Sequence, residues 1–104
     1  MSQIRCVIQA DSHADERRTE LGRRLTEHHA NHYPGETTTI TWMAIPPGHM
    51  FTEGQPSTSS IISCFLDHPT TLDGRATYMR DVCDLWTETT GCTDHEVVVT
   101  ITEP

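Results

Sequence analysis

From Gln3 to Gln9 the chain reads QIRCVIQ, a short, mostly apolar run, and the pattern predicts a strand. Past the cap-type residues of DSH, the segment ADERRTELGRRLTEHHANHY reads as a helix closed by Pro34 and Gly35. TTTITWMAI follows, β-branched and alternating, and predicts a second strand. The order then repeats. SIISCFLD predicts a strand, LDGRATYMRDVCDLWTETTG a helix ending at Gly91, and HEVVVTITE a last strand.

The repetition can be checked position by position. An offset of 58 places Cys6 on Cys64, Ile8 on Leu66, Leu21 on Met79, Leu25 on Cys83 and Ile40 on Val98. On this reading the second helix carries its apolar stripe at Leu72, Ala76, Met79, Cys83 and Trp86. The first helix then turns Ala14, Arg18, Leu21, Leu25 and His28 inward. Two βαβ units predict one α+β domain: a first unit over 2–46, a connecting loop over 47–59 and a second unit over 60–104. The expected architecture is a four-stranded sheet with two helices on one face. Nothing in the chain is left to cover the other face, which points to association of copies.

Charge narrows the chemistry. Seven basic residues stand against fifteen acidic ones, a net charge of -8, which argues against nucleic acid and anionic membrane surfaces as partners. All seven basic residues are arginine, so Schiff-base and lysine-base catalysis are excluded, while anion recognition by a guanidinium stays open. No run is long enough for a membrane span and no signal-peptide core opens the chain, so a cytoplasmic protein is expected. Cys6, Cys64, Cys83 and Cys92 form no CxxC pair and read as packed free thiols. His28 and His32 are one helical turn apart, but neither an HExxH motif nor a cysteine pair accompanies them, and no metal site or cofactor is expected. No GxSxG elbow is present for serine chemistry.

The segments LTEHH, ITWMAIPPGHMFTEGQ and SCFLDH resemble, in the same order, those of the cis-3-chloroacrylic acid dehalogenase branch of the tautomerase superfamily. The resemblance spans nearly the whole chain. It implies a duplicated βαβ fold, a homotrimer, and a small-molecule isomerase that moves a proton on an enol or ketone. The alternative is a non-catalytic or recruited protein of the same fold, a ligand binder or a biosynthetic cyclase or isomerase; hydration or dehalogenation ranks below both. The central PPGHMFTEG segment would then be a built loop that helps wall a site on a neighbouring copy.

The resemblance also assigns residues, with departures. The family's N-terminal proline is replaced by Ser2, whose α-amine would be the base once Met1 is removed. His29 matches the helix histidine that positions substrate, and Arg75 matches one carboxylate-binding arginine. The second arginine has no counterpart, since Pro69 and Thr70 follow His68. The family's C-terminal acid is also missing, as the residues after the last strand are Glu103 and Pro104. His49, Trp42 and Phe51, around the central loop, complete the expected substrate-binding set. Ser2, His29 and His49 are the possible bases.

Overall fold

The computed structural model describes all of residues 1–104. Strand β1 (Ser2–Gln9) leads into α1 (His13–Glu16), α2 (Arg18–His32) and β2 (Thr38–Ile45). Two short strands, β3 (Phe51–Thr52) and β4 (Gln55–Pro56), precede β5 (Ser60–Phe65), α3 (Leu72–Thr90) and β6 (Val97–Thr102). The main sheet has the order β2-β1-β5-β6, parallel within each half and antiparallel at the central β1–β5 seam. That seam sets Gln3 opposite Phe65 and Val7 opposite Ile61. The start of β1 therefore lies beside the end of β5, and the start of β5 beside the end of β1.

Alternation along the strands decides the core. Ile4, Cys6 and Ile8 of β1 and Ile62 and Cys64 of β5 are buried under α2 and α3, which supply Leu21, Leu25, Tyr78, Val82 and Trp86. Both helices lie on this one face, as the βαβ reading expects. Thr71 caps α3 by accepting from the Gly74 N–H, and Gly91 ends it at φ 77°, the left-handed position glycine takes most easily.

The α3 face differs from the predicted stripe. Its buried residues are Tyr78, Val82, Leu85, Trp86, Thr89 and Thr90, while Leu72 is 72% exposed. The inward face is thus turned by about one residue, or ~100°. Tyr and Thr read as polar in a hydrophobicity count, but here their hydroxyls are satisfied inside. Thr89 and Thr90 bond back to the Leu85 and Trp86 carbonyls, and Tyr78 meets His29. The helices therefore correspond at an offset of 57, Leu21 to Tyr78 and Leu25 to Val82. Val98 also faces outward at 49% exposure, so it is not the inner mate of Ile40. A smaller difference is the break at Arg17 (φ -112°, ψ 23°), which divides the first predicted helix in two.

The uncovered face carries one apolar row across all four strands: Met43, Val7, Ile61 and Val98 in register. Met43 is 60% exposed. The other rows are polar apart from Ile45, beside Gln9, and Phe65, over which the Arg5 guanidinium lies. The central loop is ordered by turns. Pro47 and Gly48 (φ 78°) form one, closed by the His49 N–H on the Pro46 carbonyl, and Glu53 and Gly54 turn the β3–β4 ribbon. The Gln9 amide ties the segment to β1 through the Ser59 carbonyl. No helix is long and apolar enough to cross a membrane.

Candidate functional site

The antiparallel seam gathers titratable groups at the start of β1. The amine of Met1 lies 2.6 Å from Asp67 Oδ2, and the buried Ser2 hydroxyl points to Oδ1 of the same carboxylate at 3.4 Å. The terminal ammonium's hydrogen bond holds the Asp67 carboxyl below its ordinary range. His68, next in the chain, sets Nε2 2.9 Å from Glu36 Oε2, and Glu36 Oε1 lies 3.1 Å from His29 Nε2. His29 Nδ1 in turn meets the Tyr78 hydroxyl at 2.9 Å. The result is a line of groups running from core to surface: Tyr78, His29, Glu36, His68.

Hydrogen-bond roles along this line follow from its partners. Glu36 as a carboxylate only accepts, so His29 carries its proton on Nε2 and its Nδ1 accepts from the Tyr78 O–H. His68 faces two acceptors, the Pro69 carbonyl at Nδ1 and Glu36 at Nε2. Both partners favour the imidazolium, and the Pro69 bond, followed by the Glu36 charge, raises its pKa. Burial pushes the Tyr78 hydroxyl up, so it remains a donor.

Arg75 stands at the same end, but its guanidinium is engaged by Glu103 Oε1 at 2.9 Å and the Thr70 carbonyl at 3.1 Å. Glu103 also accepts from Thr70, and these contacts hold its carboxyl below the ordinary range. The sequence supplied no expectation for this pair.

Of the expected site residues, Ser2, His29 and Arg75 come together at this end. His29 is fully buried with both ring nitrogens occupied, so it is not open to direct contact with a substrate as the resemblance implied. Trp42 lies four positions along β2 from Thr38, the partner of Ser2, and packs near Gly22 and Trp86. His49 and the exposed Phe51 lie beyond the far end of β2 and do not reach Ser2 within one chain. Asp67, Glu36, Tyr78 and Glu103 were not anticipated as site residues. The antiparallel pairing of β1 with β5 was the missing signal for Asp67, since it brings sequence positions 2 and 67 together.

A separate cavity lies elsewhere. At the opposite end of β1, about 330 Å³ is enclosed by residues that include Gln9, Ser12, Thr58, Ser60, Thr90 and Glu96. Serine and threonine hydroxyls line part of it, beside Ala14 and Trp86. The cysteines offer little: Cys6 and Cys64 are buried, and desolvation pushes both thiols up to about 12, far from a reactive thiolate.

No family model matches the sequence, and no curated protein does. Solved structures do match its shape. "Native Ps01740" is similar with a TM-score of 0.90 at 21% identity, over 98% of this chain and 93% of that one. N1, a member of the cis-3-chloroacrylic acid dehalogenase family, gives 0.88 at 14% identity over 98% and 74%. The chain has the tautomerase-superfamily fold. A fused 4-OT, described as an asymmetric trimer, gives 0.85 at 17% identity over 98% and 85%. At these identities the tautomerase likeness is one of fold, and the chemistry rests on the residues of this chain.

Proposed function

We propose that the protein is a small-molecule isomerase that moves a proton on an enol or ketone substrate at the Ser2 end of β1. One observation carries this reading: the chain's first amine lies against Asp67, with the His68–Glu36 pair beside it. Removal of Met1 would pass the free amine to Ser2, and an α-amine with an ordinary pKa of ~7.7–8.0 can serve as a base near neutrality.

In the reaction the amine takes the proton from the carbon next to a carbonyl. The C–H electrons form the new C=C bond while the carbonyl π electrons move onto oxygen. His68 exchanges its Nδ1–H contact with Pro69 for one with the developing oxyanion. The ammonium returns its proton to a carbon of the enolate to complete the isomerisation. Glu36 keeps His68 charged and oriented. His29, buried and bonded on both sides, is a positioning residue acting through Glu36. Arg75 binds a substrate carboxylate by giving up Glu103.

The working form is a homotrimer whose copies cover the Met43–Val7–Ile61–Val98 row, and this also gives His49 and Phe51 a site to reach, on the neighbouring copy. Sedimentation should return about three times 11.7 kDa; a stable monomer would remove that role for the loop. A second reading, a ligand-binding protein without turnover, is favoured by the hydroxyl-lined cavity at the other end. The experiment that separates them is ketonisation of a simple enol acid with intact mass recorded on the same sample. Activity with Met1 removed supports the Ser2 amine as base. Activity with Met1 retained moves the base to a side chain, and no activity in either form favours binding.

A further inference from the structure

On the outer side of the helix pair, against the Tyr78 ring, His28 and His32 project from one turn of α2 toward Asp81 of α3. His32 Nε2 is 3.3 Å from Asp81 Oδ2, and one donor atom from each of the three residues lies within 4.8 Å of the others. The two imidazoles meet edge-on with centroids 4.5 Å apart. His28 is 91% buried, and its Nε2 has no hydrogen-bond partner. An unpaired buried ring nitrogen is costly and calls for an explanation. A metal ion at ~2.0–2.2 Å from its ligands separates them by ~3.4 Å in tetrahedral geometry, close to the His32–Asp81 spacing.

We propose that His28, His32 and Asp81 bind a divalent transition-metal ion, Zn²⁺ foremost, through two imidazoles and one carboxylate. That donor set suits Zn²⁺, Co²⁺ and Ni²⁺ and disfavours the hard cations Mg²⁺ and Ca²⁺, which take all-oxygen ligands. Small rotations of His28 and Asp81 bring their donors to ligand distance. His32 and Asp81 remain partly open, so a water can fill the fourth position. Asp84 lines an adjoining depression of about 280 Å³ and adds negative charge beside Asp81, while the other two carboxylates there are offset, Glu27 by Arg23 and Glu88 by Arg24, each at 2.9 Å. Bound there, the ion staples α2 to α3. The ion would sit beside the Tyr78–His29 relay, since the Tyr78 ring meets both imidazoles, but it shares no ligand with that relay.

The test uses full-length protein freed of metal with a chelator. Calorimetric titration with ZnCl₂ should give one ion per chain and a raised Tm, and CoCl₂ should produce the visible absorption of a tetrahedral nitrogen–oxygen site. His32→Ala and Asp81→Asn lie at the surface, and each should weaken Zn²⁺ binding at least tenfold and abolish the Co²⁺ band, with folding checked by circular dichroism. His68→Ala should leave both signals intact. The second cluster of metal-type side chains, Glu36, Asp67 and His68, makes this control decisive. Absence of Zn²⁺ binding, binding unchanged in both surface variants, or loss of binding in His68→Ala would each overturn the assignment.

Discussion

The two ends of β1 are built on the same backbone plan and filled with different chemistry. Ser2 and Ser60 both open a central strand, both are buried, and each lies beside the end of the other's strand. Around Ser2 the neighbours are Asp67, His68, Glu36 and, beneath them, His29. Around Ser60 they are Gln9, Ser12, Thr58 and Glu96, with Trp86 standing where His29 stands at the first end. Trp86 fills its position with an indole, and Glu96 is spent on the cap of the turn before β6 through the Thr93 N–H. A duplicated fold thus offers two equivalent places, and side-chain chemistry alone separates a relay of linked ionisable groups from a cavity lined by serine and threonine beside a single capped glutamate.

That contrast is open to breaking. The largest effect is expected from the two buried mates. Trp86→Ala should cost ~3–5 kcal/mol in urea unfolding, and His29→Ala ~2–3 kcal/mol, since it opens a smaller space and strands the Tyr78 hydroxyl. Measured on the folded fraction, only His29→Ala should also abolish ketonisation; equal losses of activity would erase the distinction between the ends. Glu36→Gln should lower kcat/KM about 100-fold, or ~2.7 kcal/mol, whereas Glu96→Gln should leave the rate within about twofold of the parent protein. A rate loss on the Glu96 side would place chemistry where none is proposed.

Smaller effects sharpen the picture. Tyr78→Phe should cost ~1–2 kcal/mol because His29 Nδ1 is left without its donor. Glu103→Gln should lower KM for a carboxylate substrate by weakening the hold on Arg75, with kcat unchanged, and a raised KM would mean that the pair itself positions substrate. The smallest is a pH effect. The folded-state pKa of His68 is raised, so its contribution to stability is fully present below ~6.5 and is lost as pH rises through the higher folded value. His68→Gln should flatten that alkaline decline in Tm; an unchanged slope would remove His68 as its source.

How far these features could be read from sequence depends on their spacing. The strands, the duplicated βαβ order and the burial of Cys6 and Cys64 were legible because alternation and offset are local signals, whereas Cys83 and Cys92 are only half-buried. The α3 face was misread because Tyr78, Thr89 and Thr90 count as polar until their hydroxyl partners are known. Ser2, His29 and Arg75, which belong to the proposed site, were named through resemblance. Glu36, Asp67 and Glu103 were missed because each acquires meaning only through a partner far along the chain: His29 and His68, the chain's first residues, and Arg75. Trp42 was read as a pocket residue from its place near the loop, but the sheet register puts it over the core beside Trp86.

The most direct test of the claim that chemistry resides at the Ser2 end is an amide spectrum of the ¹⁵N-labelled protein titrated with a keto acid that the protein does not convert. Saturable shifts should cluster at Gln3, Glu36, Asp67, His68 and Thr70. Shifts confined to Ser57–Ser60 and Gly91–Glu96 would contradict the account and place the working site in the hydroxyl-lined cavity instead.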